Sequence, residues 1–325
     1  MPNLTLVEAV NDALAVALEA DERVLIMGED VGRNGGVFRA TDGLIDRFGD
    51  ERVVDTPLAE AGIIGTAIGL ASYGMRPVAE IQFLGFSYQA FAQLVAQAAR
   101  TRWRSGGRYT CPLVVRAPFG VGVRAPELHS DALEAHFVHT PGLKVVAPAT
   151  PYDAKGLLLA AIDDPDPVVF LEPLRGYRTG RADIPAGHYT VPLGRASAVR
   201  AGRDVTIVAW SAMVAVALSA AETLAGEGTD AEVIDLRTLS PFDADTVVAS
   251  VEKTGRAVIV HEAPKTAGLG AELVATINER ALLSLEAPVA RVTGYDVPIP
   301  PALLEDHYPP TVARVVGAVR SVMNF

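Results

Sequence analysis

The sequence predicts an α/β protein made of two three-layer α/β/α sandwich domains with mainly parallel sheets. Short apolar segments typical of buried strands alternate with longer segments typical of helices along almost the whole chain. The alternation is interrupted once, at 173–202, where Gly, Pro and charged residues replace the periodic pattern. Strands that alternate with helices form parallel sheets covered on both faces. We therefore predict domains at 1–175 and 203–325, joined by a linker at 176–202.

The first half begins with a helix, because Thr5 and Glu8 match a capping box and apolar residues follow at helical spacing as far as Leu18. The long helix predicted at 86–104 is apolar early and basic late, which suits the dipole at its carboxyl end. The other predicted helices of this half are 41–48, 59–71, 132–138 and 152–162. The predicted strands are 23–27, 52–54, 78–83, 113–116, 144–147 and 167–171.

The second half repeats the alternation without an evident internal sequence repeat. Its predicted strands are 205–210, 231–235, 257–260 and 289–292. Its predicted helices are 212–225, 244–252, 269–283 and 311–323. The linker before it is predicted to cross the surface, with short pairing around 188–192.

Composition narrows the classes of function. Half of the 325 residues are hydrophobic, which allows a large core, and the net charge of −11 argues against nucleic-acid or anionic-membrane surfaces. The single cysteine, Cys111, excludes a disulfide framework or an iron–sulfur cluster. The N-terminus lacks the basic and apolar regions of a secretory signal, and the longest apolar stretch is too short to span a bilayer. These features favour a cytoplasmic protein.

Residues 55–83 contain the most unusual feature of the sequence, DTPLAEAGIIGTAIGLASYGMRPVAEIQF. Glu60 precedes a run from Ala61 to Met75 that carries no charge. A helix that is apolar on all sides is expected to be buried, and a buried carboxylate needs a specific partner. The alternative is that Glu60 lies in the first turn of the helix, where the dipole favours an acid. The pattern alone leaves both interpretations open.

This stretch resembles the thiamine-diphosphate motif in the β subunit of the decarboxylating component of 2-oxo acid dehydrogenase complexes, of the pyruvate or branched-chain type, within the transketolase-like family. Stretches that extend the resemblance along the chain are GEDVG at 28–32, PELHSD at 126–131, PGLKVVAPATPYDAKGLL at 141–158, AEVIDLRTLSPFD at 231–243 and VEKTGRAVIVHEA at 251–263. The resemblance implies a pyrimidine-binding domain followed by a transketolase C-terminal-like domain. It also implies oxidative decarboxylation of a 2-oxo acid, with pyruvate favoured, and acyl transfer to a lipoyl group.

The resemblance assigns roles to four residues. Glu60 corresponds to the carboxyl group that holds a pyrimidine ring nitrogen of the cofactor. A carboxyl group in an apolar site is suited to share a proton with such a nitrogen. Phe86 corresponds to the aromatic residue that stacks on the pyrimidine, although an isolated Phe is more often part of the core. His129 corresponds to an active-site histidine, a type of residue that can titrate near neutrality. Glu29 corresponds to an acid in a passage between two cofactor sites, but Ala92 replaces a further acid of that passage.

Metal sites are implied in two ways. The resemblance suggests a structural monovalent cation, potassium, bound by backbone carbonyls, and AIDDPDP is rich in oxygen ligands, although an ordinary Asp/Pro turn also explains it. The corresponding positions are Leu113, Ala161, Ile162, Asp164 and Asp166. The GDG…N motif with which the family binds magnesium and diphosphate is missing, since Gly49-Asp50-Glu51 lacks the second glycine. A separate α subunit is therefore expected to supply magnesium, in an α2β2 heterotetramer with a β–β contact. His136 and His139 have no third ligand nearby and predict no metal site.

The second domain shows no convincing catalytic set. His261 and Glu262 follow a strand, and an interface or cap role is favoured for them over catalysis. By resemblance, this domain receives the subunit-binding domain of the lipoyl acyltransferase core, and Glu305, Asp306 and the carboxylate of Phe325 would suit a basic partner.

Several alternatives remain open from the sequence. They are a branched-chain 2-oxo acid or acetoin dehydrogenase β subunit, a non-catalytic docking subunit, and a nicotinamide-dependent oxidoreductase, which the lack of an early GxGxxG disfavours.

Overall fold

The structure, a computed structural model, describes residues 1–300 and 302–325. The strands are β1 (Asn3–Leu4), β2 (Val24–Gly28), β3 (Val53–Asp55), β4 (Arg76–Glu80), β5 (Val114–Phe119), β6 (Lys144–Val146), β7 (Val168–Pro173), β8 (Ala182–Asp183), β9 (Ser197–Arg200), β10 (Val205–Ala209), β11 (Ala231–Asp235), β12 (Thr238–Ser240), β13 (Ala257–Pro264) and β14 (Ala290–Gly294). The helices are α1 (Leu6–Ala20), α2 (Leu44–Phe48), α3 (Glu60–Ser72), α4 (Thr101–Arg104), α5 (Glu134–Val138), α6 (Pro151–Asp163), α7 (Met213–Ala225), α8 (Ala244–Thr254), α9 (Leu269–Ala281) and α10 (Val312–Met323).

A seven-stranded sheet forms the centre of the first half, in the order β12-β6-β7-β5-β4-β2-β3. All neighbours in it are parallel except β12, which runs antiparallel to β6. Helices α1 and α6 cover one face, where Leu14 and Leu158 pack against alternate strand residues. Helix α3 covers the other face, with Ile64 packed among the opposite set of strand residues. The predicted three-layer arrangement of a mainly parallel sheet is confirmed here.

The second half is a five-stranded sheet in the order β14-β13-β10-β11-β9. Its strands are parallel except for β9, which pairs antiparallel with β11. Helices α7 and α10 pack on one face and α8 and α9 on the other. This half too is a three-layer sandwich. Strand β9 lies within 176–202, so that the predicted linker contributes an edge strand to the second sheet.

One strand crosses between the halves. β12 follows β11 of the second sheet but pairs with β6, through Thr238 and Val146, at the edge of the first sheet. Its three residues are too few for a pattern of alternation to be recognised. One apolar cluster also joins Ile64 of the first half to Trp210 and Leu273 of the second.

The single helix predicted at 86–104 is wrong. The segment contains a 3-10 turn at Leu84–Tyr88, a π-helical turn at Gln93–Gln97, a second 3-10 turn at Ala98–Arg100 and then α4. The side chains of Arg100 and Arg104 donate to the carbonyls of Val95 and Ala96, which the widened turn leaves accessible. Strand β4 also ends at Glu80, three residues earlier than predicted.

None of the helices in the described ranges is both long and apolar enough to cross a membrane.

Candidate active site

Four adjacent parallel strands bring the predicted site residues to one edge of the first sheet. In spatial order the strands are β3, β2, β4 and β5, and Gly28, Asp55 and Glu80 are paired at their carboxyl ends. Along the chain, β3 is followed by Glu60 and β2 by Glu29, while β4 is followed by Phe86 and β5 by His129. The carboxyl ends of parallel strands are where open α/β sheets bind ligands. The topology therefore places all four residues beyond the carboxyl ends of adjacent strands, the position at which such sheets commonly bind ligands.

Glu60 is the first residue of α3, and only 5% of it is exposed. Its Oε2 atom is buried and has no hydrogen-bond partner among the described residues. A buried carboxyl oxygen without a partner is costly, so this atom is suited to a ligand that donates or shares a proton. Both interpretations of the sequence hold in part, because Glu60 lies in the first turn and is also buried.

The remainder of α3 is less covered than its composition predicts. Gly62 and Gly69 are exposed, and a Cβ built at Gly69 would meet nothing within 4 Å among the described residues. The expectation that this helix is buried on all sides is therefore wrong for the chain by itself, since half of an apolar helix faces outward.

Glu29 lies close enough to Glu60 for their charges to interact. Partial burial, then repulsion from Glu60 and Asp30, raises the pKa of Glu29 above its usual value. Two neighbouring carboxyl groups cannot both ionise easily. Glu29 can therefore retain its proton at a pH where an isolated glutamate would have lost it.

Phe83, Phe86 and His129 form one aromatic cluster. The His129 ring centroid lies 4.5 Å from that of Phe83 and 5.0 Å from that of Phe86, and both pairs meet edge to face. The His129 ring also makes a hydrogen bond of 3.0 Å between Nδ1 and the carbonyl of Glu127. Phe86 is only partly buried. The site thus combines a partly accessible aromatic ring with a histidine whose orientation is fixed from two sides.

Gly85 allows this cluster to form. A Cβ atom at this position would lie 2.1 Å from the carbonyl oxygen of Leu128, the residue before His129. No side chain fits at that separation. Glycine at position 85 therefore lets the loop that carries His129 (residues 120–131, the histidine loop) approach the 3-10 turn that carries Phe86.

A buried ionic network lies beneath the cluster and was not predicted from the sequence. Arg116 donates to Glu172 at 2.6 and 2.9 Å and to Glu80 at 2.8 Å, and Tyr177 also donates to Glu172. Burial raises the pKa of Glu80. Phe38 packs between Tyr177 and Phe83, at centroid distances of 5.3 and 5.4 Å, and so links the network to the aromatic cluster. Charged residues within strands that are otherwise apolar were the signal for it.

The predicted cation positions lie where the start of β5 meets the end of α6. The carbonyl of Leu113 accepts from Val168 N, that of Ala161 from Asp164 N, and that of Ile162 from Arg76 at 2.7 Å. Lys144 contacts both carboxylate oxygens of Asp164 at 2.6 Å, and Arg102 pairs with Asp166 at 2.7 Å. Cationic side chains thus already neutralise the acids of this turn. In the described ranges no cluster of three or more His, Cys, Asp or Glu side chains could hold a metal ion.

The second half contributes buried acids to the histidine loop. Glu305 and Glu262, which are 1% and 6% exposed, accept hydrogen bonds from backbone atoms of this loop. Burial raises the pKa of Glu262 to about 8. The prediction that Glu305 faces a basic partner is therefore wrong, since Glu305 is buried. For Asp306, which is about half exposed and pairs with Arg124 of the loop at 2.5 Å, it stays a prediction.

His261, beside Glu262, is buried against Trp210, with ring centroids 5.1 Å apart and nearly parallel. Neither of its ring nitrogens has a hydrogen-bond partner among the described residues. Burial lowers its pKa to about 4, so the ring is neutral near neutral pH. It lies in the core, so the interface role predicted for His261 is wrong for the chain by itself.

A separate open cleft of about 1810 Å³ lies between the irregular segment 91–107 and the residues after β13. Trp103 lines it and is 90% exposed, and Val95, Leu133 and Ala263 add apolar surface. Exposed apolar surfaces of this kind are typical of subunit contacts.

Two family models match the chain, "Transketolase, pyrimidine binding domain" over residues 3–179 and "Transketolase, C-terminal domain" over residues 194–315. The chain is 54% identical to "Pyruvate dehydrogenase E1 component subunit beta" of Bacillus subtilis and 51% identical to the protein of that name in Staphylococcus aureus, over the full length of both chains in each case. Among solved structures, it is similar to "Split gene transketolase, inactive beta4 tetramer" (TM-score 0.82, 25% identity, 99% of each chain). It also has the fold of a transketolase from Leishmania mexicana (TM-score 0.70, 20% identity), of which it covers 46%.

Proposed function

The chain belongs to the family of pyruvate dehydrogenase E1 component β subunits, which carry the transketolase pyrimidine-binding and C-terminal domains, and from this premise we propose that it forms the pyrimidine half of a thiamine diphosphate site. With an α subunit it oxidatively decarboxylates pyruvate and passes the acyl group to the lipoyl group of the acyltransferase core. The observation that carries the proposal is the buried, unpartnered Oε2 of Glu60 at the carboxyl edge of the first sheet.

Glu60 would hold the pyrimidine ring through that oxygen. A buried carboxyl lacking a partner gains most from a heterocyclic nitrogen with which it can share a proton. When bound, thiamine diphosphate supplies a carbon nucleophile and an acceptor for the electrons released with carbon dioxide. Glu60 orients the ring, and nearby Glu29, whose pKa is raised by burial and by Glu60, keeps its own proton more readily than an isolated acid.

Phe86 and His129 are neighbours in the proposed site and have different roles. The partly buried Phe86 ring offers a flat apolar surface on which a pyrimidine can stack. His129, held by the Glu127 carbonyl and by Phe83, can donate a hydrogen bond or a proton to charge that develops on a 2-oxo acid or on an incoming lipoyl group.

An α subunit completes the site in this proposal, since the magnesium–diphosphate motif is missing from the sequence. The outward face of α3, with Gly62 and Gly69, and the apolar cleft at Trp103 are available for contacts in an α2β2 assembly with a β–β contact. The exposed C-terminal residue Phe325 is proposed to contact the subunit-binding domain of the acyltransferase core.

Four expectations stay predictions. They are the potassium site at the 161–166 turn, with Lys144 and Arg76 competing for its oxygens, the proton passage through Glu29, the linker boundaries at 176 and 202, and a cytoplasmic location.

The test uses the chain co-expressed with its α subunit. Glu60→Gln and Glu60→Ala should lower pyruvate decarboxylation by at least about 100-fold and weaken thiamine diphosphate binding measured by calorimetry, while the assembly keeps its size. Glu272→Gln is the matched control, because Glu272 is an exposed acid in the first turn of α9.

Turnover close to wild type in the Glu60 variants would refute the role and favour a docking subunit. Assays with pyruvate, branched-chain 2-oxo acids and acetoin then identify the substrate. Greater activity with either of the latter two would replace pyruvate in the proposal.

A further inference from the structure

The loop that carries His129 runs from Gly120 to Asp131, between β5 and α5, without regular secondary structure. Few backbone hydrogen bonds join residues of this loop to one another, and they are long: Gly120 N donates to Asp131 O and His129 N to Pro126 O, both at 3.3 Å. The backbone adopts positive φ at Gly120, Gly122, Arg124 and Leu128. A loop of this length with weak internal bonding needs external contacts to keep one conformation.

Glu305 supplies two of these contacts from the other half of the chain. Its Oε1 accepts from Gly122 N at 2.6 Å and its Oε2 from Ser130 Oγ at 2.9 Å. One buried carboxylate therefore ties the beginning of the loop to the residue next to His129. Hydrogen bonds to a charged acceptor are the stronger kind, and losing this acceptor would leave a buried donor unsatisfied.

Glu262 adds a third contact, from the end of β13. It accepts from Val121 N, and a Cβ built at Gly120 would lie 2.8 Å from its Oε1. At the far side of the loop, Gly85 packs against Leu128. The loop is thus held between acids of the second half and the turn that carries Phe86.

We propose that Glu305, supported by Glu262, is a positioning residue for His129: it binds both ends of the histidine loop and thereby fixes the imidazole against Phe83 and Phe86. The proposal rests on the proposed function only for the effect on turnover. The contact with the loop itself can be measured independently. Arg124 and Asp306 form a further ion pair, but both side chains are about half exposed and this pair adds little.

The experiment compares Glu305→Leu, Glu305→Gln and Ser130→Ala in the co-expressed α2β2 assembly. Glu232→Leu is the matched control, because Glu232 is a buried acid of the second sheet that bonds Ser250 and Lys253, away from the loop. Turnover is measured beside hydrogen–deuterium exchange at the imidazole C2 position of His129, read by mass spectrometry, which reports the environment of that one ring.

Glu305→Leu should lower kcat about tenfold, with little change in KM, and should speed C2 exchange at His129 by about threefold, because the ring is released from the cluster. Glu305→Gln should restore most of the kcat and most of the slow C2 exchange at His129, since its amide can accept from Gly122 and donate to Ser130. Ser130→Ala removes a single bond and should give an intermediate effect. Glu232→Leu should leave exchange at His129 unchanged.

A double-mutant cycle separates positioning from other roles. On a His129→Ala background, Glu305→Leu should change kcat by less than about twofold, and an undiminished loss there would overturn the proposal. If Glu305→Leu does not assemble, wild-type C2 exchange at His129 in Ser130→Ala would also overturn it. If His129→Ala alone retains full turnover, the proposed role of His129 fails, whereas the exchange data still decide the positioning.

Discussion

Replacing Gly85 with alanine tests the packing on which the histidine loop depends. The added methyl would lie 2.1 Å from the Leu128 carbonyl oxygen, so the loop must retreat by roughly 1 Å to reach ordinary contact distance. Gly85 does not adopt positive φ, and alanine fits its backbone conformation without strain. The cost is therefore one of overpacking, and we expect a loss of about 1–3 kcal/mol in the free energy of unfolding.

The same displacement should reach the chemistry, because Leu128 precedes His129. A shift of about 1 Å at a catalytic group can lower the rate about 100-fold, so turnover should fall much more than stability suggests. Gly317→Ala is the control: Gly317 lies in the interior of α10 and a Cβ there meets nothing within 4 Å among the described residues, so this change should stabilise by roughly 0.5–1 kcal/mol.

The measurements are urea unfolding of the purified chain and turnover of the assembly. A Gly85→Ala protein with wild-type stability and turnover would refute the close packing of the loop.

Other expectations concern stability and its dependence on pH. Thr5→Ala removes the capping box of α1 and should cost about 1 kcal/mol by urea unfolding; no change would mean that the cap is not formed in solution. Arg116→Met removes the cation that two buried carboxylates share and should cost about 3–5 kcal/mol at pH 7, and less at pH 5, because burial raises the pKa of Glu80; an equal loss at both would contradict the pairing. His261 is neutral when buried, with a pKa of about 4 against 6.5 unfolded, so stability should fall as pH drops through that window, and His261→Leu should flatten this slope. Glu262 has the opposite effect, because its folded pKa of about 8 lies above the unfolded 4.5: stability should fall as pH rises between these values, and Glu262→Gln should remove that fall in thermal unfolding across pH.

The layers of the fold could be predicted because they follow from local pattern. The capping box at Thr5 opens α1 as predicted, and the strands with continuous apolar runs form the two parallel sheets. The structure of the segment after Phe86 could not be predicted. Its composition is typical of a helix and does not indicate the π-helical and 3-10 turns that arginine side chains help to stabilise. Strand β12 was missed because three residues carry no periodicity.

The residues of the candidate site were identified by resemblance, and the strand order brings them to one edge of the sheet. The residues that hold the candidate site in place could not be identified from the sequence. Glu305 was predicted to be an exposed acid near the C-terminus, because its local sequence does not indicate that it accepts a hydrogen bond from Gly122, 183 positions away. Pairings over such a separation are set by the tertiary fold and not by local pattern.

The distance along the chain between the histidine loop and its carboxylates also has a consequence during synthesis. A nascent polypeptide can assemble most of its first sheet before the later half exists, because domains generally fold in the order in which they leave the ribosome. Neither Glu262 nor Glu305 has been translated at that stage, and the edge strand at 238–240 is missing too. The candidate site is therefore expected to be among the last regions to mature, and products of premature termination before Glu305 would retain Glu60, Phe86 and His129 but lack the carboxylate that bonds Gly122 and Ser130 of the histidine loop.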